Sequence, residues 1–302
     1  MAVQARVTPL ETEGARHGES PVWDRRDDNV YWLDQEGPRI FWADLGSGEH
    51  GSWAPPRMVS AIAPRAAGGF IASSMDGFVE IDPRSAGYRI IGDPRADPGA
   101  ARFNDGVVDR LGRYWSGTVD NGVGGADPSA WGKSECGQLF RLDPDGRSRL
   151  IDVGFIATNG PAFSPDGRTL YLNDTLKRVT YAYDIAADGE IANRRVFLRF
   201  DDDHGYPDGM TCDAEGGLWI AFFGDRFLRH YAPDATPLAQ LELPVSQATR
   251  PTFGGERLDR LFLSTASLGF DEAMWAREPL AGALLEVHDL NVRGVEPFAF
   301  GG

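Results

Sequence analysis

Cysteine is nearly missing from this chain. Cys136 and Cys212 are the only two among 302 residues, too few for a disulfide framework. Two free thiols in a reducing cytoplasm are therefore the expected state. Lysine is equally scarce, with Lys133 and Lys177 the only two of 30 basic residues, a bias we ascribe to genome composition. The five histidines form no HExxH, and no CxxC is present, which argues against a histidine-rich or thiolate metal centre. There is no Gly-x-Ser-x-Gly elbow, which argues against a serine hydrolase. No stretch approaches the roughly 18 apolar residues that span a bilayer. Residues 1–18 (MAVQARVTPLETEGARHG) lack the apolar core of a secretory leader, so a soluble, cytoplasmic protein is expected. Positive charge is also short: the net charge of −15 disfavours a nucleic-acid backbone or an anionic membrane as partner.

What is present is a loose internal repeat. Each copy has a polar residue, a short apolar run, an Asp-, Gly- or Pro-containing turn, then a second apolar or aromatic run. Clear copies are residues 19–24 (ESPVWD) before 30–33 (VYWL), and 104–109 (NDGVVD) before 113–116 (RYWS). Two more are 159–164 (NGPAFS) before 169–172 (TLYL), and 208–213 (DGMTCD) before 218–221 (LWIA). Weaker copies are 59–64 (VSAIAP) before 69–72 (GFIA), and 250–255 (RPTFGG) before 260–263 (RLFL). Asp, Gly and Pro set hairpin turns, and the β-branched and aromatic runs suit buried strands.

The copies start at residues 19, 59, 104, 159, 208 and 250, that is every 40 to 55 residues. A four-stranded propeller blade takes roughly 40–50 residues. The spacing predicts an all-β fold: one six-bladed β-propeller domain over residues 1–302, with four-stranded antiparallel blades around a central channel. Residues 5–8 would pair into the last blade and close the ring, removing exposed sheet edges. The one helical pattern, residues 271–277, is a short decoration of that blade.

In a propeller the first strand of each blade lines the channel, so equivalent positions form a ring around one mouth. The first repeat position reads Glu19, Val59, Asn104, Asn159, Asp208 and Arg250. Glu19, Asn159 and Asp208 offer two carboxylates and an amide carbonyl, hard donors suited to Ca²⁺, Mg²⁺ or Mn²⁺ and compatible with Zn²⁺ or Fe²⁺. The competing reading is that these residues cap loops through side-chain to backbone bonds. Arg102 is a candidate for an oxygen-rich substrate through its guanidinium fork; His17 and His204 are expected to be solvated or to stand behind the site.

At these residues the chain resembles the senescence marker protein 30, gluconolactonase and luciferin-regenerating family. The matching stretches are 18–23 (GESPVW), 102–106 (RFNDG), 112–118 (GRYWSGT), 159–161 (NGP), 206–210 (YPDGM), 213–219 (DAEGGLW) and 253–255 (FGG). The resemblance implies a six-bladed propeller holding one divalent cation through Glu19, Asn159 and Asp208, with Arg102 and Asn104 contacting substrate. Regucalcin-like members carry an acidic pair after the Gly-Thr-Met motif. Here residues 117–119 (GTV) lead instead into a glycine-rich loop, 120–125 (DNGVGG), where Asp120 partly substitutes. Residues 124–131 would form a lid with Trp131 as an apolar wall.

The expected activity is metal-assisted hydrolysis of a sugar lactone such as gluconolactone, xylonolactone or arabinolactone by a monomeric enzyme. Asp208 is either the base or a ligand only. Two alternatives are a non-catalytic calcium-binding or interaction propeller and a metal-dependent phosphotriesterase on the same scaffold.

Overall fold

A computed structural model describes residues 3–10, 14–125 and 127–302. Six antiparallel blades follow one another along the chain. Their innermost strands are Gly18–Asp24, Val59–Pro64, Ala101–Val108, Thr158–Phe163, Tyr206–Cys212 and Ala248–Gly254. Each innermost strand packs against the next, and the sixth packs against the first, so the ring is closed around a central channel. All six first repeat positions fall on these strands. The helix Glu272–Arg277 is capped by Asp271, whose side chain accepts the N–H of Met274.

The turns explain why the repeat reads as it does. Blades three and five share the pattern D-x-x-G-x-x-W. Oδ2 of Asp109 accepts the indole N–H of Trp115 at 2.8 Å, and Oδ2 of Asp213 accepts that of Trp219 at 2.9 Å. The other carboxylate oxygen takes backbone N–H groups of the turn, from Leu111 and Arg113 in one blade and Glu215 and Gly217 in the other. One residue thus shapes the hairpin and satisfies the only polar atom of a buried indole.

The apolar core lies between blade faces. Val22, Tyr31, Leu33 and Ile40 of blade one interleave with Val59, Ile62, Phe70 and Val79 of blade two. A sheet covered on both faces needs apolar residues at successive positions, so Leu218–Phe223 is buried along its whole length. Cys212 lies buried in such a layer, Cys136 is partly buried, and both are free thiols.

Closure comes from the N-terminal segment. Val7–Pro9 pairs antiparallel with Leu285–Val287 and completes the sixth blade, as the repeat predicts. Val3–Gln4 adds a fifth strand to the preceding blade, parallel to Pro237–Glu242, a pairing the repeat does not foretell. The segment therefore staples two blades. Removing residues 1–9 is expected to lower the melting temperature by more than about 5 °C and to promote aggregation through the uncovered edge at Leu285–Val287; an unchanged melting curve by circular dichroism would refute the staple. Among the described residues, no helix is long and apolar enough to cross a membrane.

Candidate functional site

Every innermost strand shifts register against its neighbour close to the first repeat position. The shifts fall between Glu19 and Val22, Val59 and Ala61, Phe103 and Gly106, Asn159 and Ala162, Pro207 and Met210, and Ala248 and Arg250. A bulge inserts unpaired backbone and re-aims the side chains beside it. Here it brings polar groups from different blades toward one channel mouth.

Glu19, Asn159 and Asp208 are buried, and with Arg102 and Asn104 they line one cavity of about 490 Å³, counting the space at its open end. His17, Val119, Val123, Trp131, Thr175, Phe223 and Leu268 are among its other walls. The five polar groups come from blades one, three, four and five.

Hydrogen bonds fix how each group faces the cavity. The Asn104 amide donates to Thr158 O at 2.9 Å and to Asn159 Oδ1 at 3.1 Å. Both its N–H groups are used, which leaves its own Oδ1 as an acceptor. The Asn159 amide donates to Thr175 Oγ1 at 3.1 Å, and that hydroxyl donates to Pro207 O at 2.9 Å. This chain settles the amide orientation and links blade four to the strand that carries Asp208. The side chain of Asn173 donates to Asp208 O at 2.6 Å and is itself held by Thr180. Arg102 donates to the carbonyls of Asp120 at 3.3 Å and Val123 at 2.8 Å, which uses two of its five N–H groups.

The electrostatics are those of crowded, dehydrated acids. Burial pushes Glu19 up to about 7, against the Ser20 N–H bond and the Arg250 charge, which favour the ionised form. Burial and the nearby Glu19 charge push Asp208 well above the usual carboxylate range. Two acids that resist ionising together form a site short of positive charge. Burial lowers the Arg102 guanidinium from its usual value. Burial and Arg102 hold His17 down to about 4, so its ring is neutral at pH 7.

Two sequence expectations change here. Asp120 does not line the cavity: its carboxylate oxygens accept the N–H groups of Gly122 and Ser134, both at 2.8 Å. It ties down the loop, and its carbonyl holds Arg102. His17 is half-buried and forms part of the wall itself, beside Phe223 at 6.5 Å between ring centres. Trp131 does stand in the wall, packed on Tyr206 and Phe223 at 5.8 and 5.9 Å between ring centres; Ala126 of the same loop lies outside the described residues. The repeat could have exposed one further pair. Asp105 and Arg250, adjacent to or at the first position, form a buried ion pair in the channel.

Known proteins resemble this chain over most of its length. The family model for the SMP-30/Gluconolactonase/LRE-like region matches residues 17–267. A regucalcin of Danio rerio is 32% identical over 94% of this chain and 95% of its own length. A 6-deoxy-6-sulfogluconolactonase of Pseudomonas putida is also 32% identical, over 94% of this chain and 95% of its own. The crystal structure of a calcium-binding regucalcin from Agrobacterium tumefaciens superposes with a TM-score of 0.89 at 25% identity, covering 99% of this chain and 98% of that one.

Proposed function

Because the chain belongs to the SMP-30/gluconolactonase/LRE-like family, we propose that it hydrolyses a sugar lactone in the channel-mouth cavity, using one divalent cation held by Glu19, Asn159 and Asp208. The observation that supports this most is the convergence of two buried carboxylates and an oriented amide oxygen beside Arg102 and Asn104. The donor set fits the cation: all three groups offer hard oxygens, and Glu19 and Asp208 oppose each other's ionisation without a counter-charge. Calcium, zinc, manganese, magnesium and iron(II) are the candidates.

When bound, the cation supplies Lewis-acid polarisation of the lactone carbonyl and offsets the charge that grows on its oxygen. The chain's own groups do the rest. Arg102 has three N–H groups left for the sugar hydroxyls, and the Asn104 Oδ1 accepts from another. Trp131, Phe223 and Leu268 form a dry wall that fixes the ring and limits the water present. Asp208 takes the proton of the water that attacks the carbonyl carbon. The ring C–O bond then breaks, Asp208 returns the proton to the departing ring oxygen, and the product is the open-chain hydroxy acid. Asp120 acts through the loop, holding the carbonyls on which Arg102 rests.

The test is lactone hydrolysis by metal-stripped protein, re-supplied in turn with each candidate cation and followed by acid release. Five- and six-carbon aldonolactones and a fluorophosphate ester make up the panel. Turnover of a lactone only with cation supports the proposal; ester turnover alone, or bound cation without turnover, would replace it. Within that assay Arg102→Ala is expected to lower kcat/KM about 100-fold, mainly through KM, with Arg102→Lys in between. An unchanged KM would remove Arg102 from substrate binding.

A further inference from the structure

Beneath the three proposed ligands sits a charged pair that the mechanism above does not use. Asp105 is 2% and Arg250 8% exposed, and Arg250 Nη1 is ion-paired with Asp105 Oδ1. The pair touches the backbone that follows Asn104, Asn159 and Asp208. Arg250 donates to Gly106 O at 3.3 Å, and Asp105 accepts the N–H of Gly106 at 2.9 Å, just past Asn104. Asp105 also accepts the N–H of Gly160 at 2.8 Å, next to Asn159. Arg250 packs on Gly209, next to Asp208, so closely that a Cβ there would lie 2.4 Å from the Arg250 Cβ. Gly160, at φ +47°, would place a Cβ 2.5 Å from Met210 N, so both positions require glycine.

Arg250 also lines a second cavity, of about 750 Å³, at the other end of the channel. The pair lies behind the first cavity, against the strand backbone at Gly106, Gly160 and Gly209. Glu19, Asp208, Asp105 and Arg250 together carry a net −2 when all are ionised; Arg102 also lines the cavity and keeps its charge in every variant compared below.

We propose that Arg250, held by Asp105, is a positioning residue that sits behind the cation site and lowers its negative charge, favouring a divalent over a trivalent ion. This rests on the assignment of Glu19, Asn159 and Asp208 as ligands. Without Arg250 the same group of side chains would carry −3, one unit more negative, and shift preference toward a trivalent ion.

The experiment measures binding of terbium(III) and of calcium to the metal-stripped full chain, by calorimetry and by terbium luminescence excited through tryptophan. The readout is the ratio of the two affinities. Arg250→Gln is expected to raise the terbium-to-calcium ratio on the order of tenfold or more, because each added unit of site charge acts more strongly on the more highly charged ion. Arg250→Lys, which keeps the charge, should leave the ratio within about threefold of the parent. Asp105→Asn should lower the ratio, and the double variant Asp105→Asn/Arg250→Gln, again at −2, should restore it. These two decide the matter if Arg250→Gln leaves Asp105 unpaired and does not fold. Equal ratios across folded variants, or equal changes in the Lys and Gln variants, would overturn the charge-setting role. Failure of the parent chain to bind terbium, calcium or any of the other candidate cations would overturn the ligand assignment itself, and this inference with it.

Discussion

Asp208→Ala is expected to abolish divalent-cation binding and to cut lactone turnover by at least about 10³-fold, while making the metal-stripped protein more stable near pH 8. The two directions have one cause. Asp208 is buried beside Glu19, and both burial and the Glu19 charge oppose its ionisation. Without a cation, an ionised Asp208 is a liability of folding, and alanine removes it. With a cation, the same carboxylate is one of two anionic donors, and alanine leaves only Glu19 and a neutral amide. Asp208→Asn keeps one oxygen and should retain weak binding. Calorimetry, steady-state kinetics and melting curves on one preparation distinguish this from simple misfolding, which lowers all three. Full activity in Asp208→Ala would refute the site.

The metal-stripped protein is expected to melt several degrees higher at pH 6 than at pH 8, and saturating cation should reduce or reverse that difference. Glu19 binds its proton more tightly in the folded chain, with its value raised from 4.5 to about 7 chiefly by burial. A raised carboxylate makes folding take up protons, so stability falls as pH rises. For Glu19 the loss begins above the unfolded value, near 4.5, and is complete once pH passes about 7. Asp208 acts in the same direction, since its value is also raised. For Glu19 alone the loss is on the order of 3 kcal/mol. Bound cation requires both groups ionised, so it should add more stability at pH 8 than at pH 6; at 100 times its dissociation constant it adds about 2.7 kcal/mol. Other groups titrate in both samples, so the difference between stripped and loaded protein isolates the site. An equal gain in melting temperature at both pH values would refute the linkage.

Much of the architecture was legible because a blade is a local object. Its turns are set by residues such as Asp109 and Asp213, which bond their own hairpin and a tryptophan six residues on. The strand–turn–strand repeat of which those turns are two examples recurs six times, implies the ring and places Glu19, Asn159 and Asp208 at equivalent positions. The pairing of Val7–Pro9 with Leu285–Val287 followed from the need to leave no open edge.

Other features had no local signal. Asp120 reads as a mouth carboxylate by its place after the Gly-Thr-Val run, yet its oxygens are taken by Gly122 and Ser134. Loop closure decides that, and spacing does not report it. His17, expected to be solvated or to stand behind the site, is half-buried in the cavity wall with Arg102 and Phe223, which come from other blades.

The sequence by itself determined the blade count, the order of the strands and which oxygen-bearing residues occupy equivalent positions, because hairpins depend on neighbours a few residues apart. Only the tertiary structure decided which of those residues face the same cavity, which way the Asn159 amide points, and that Asp105 and Arg250 meet beneath them. Those outcomes depend on the bulges and on groups brought together across the channel from more than 100 positions apart, such as Arg250 and Gly106, where no pattern along the chain records the distance.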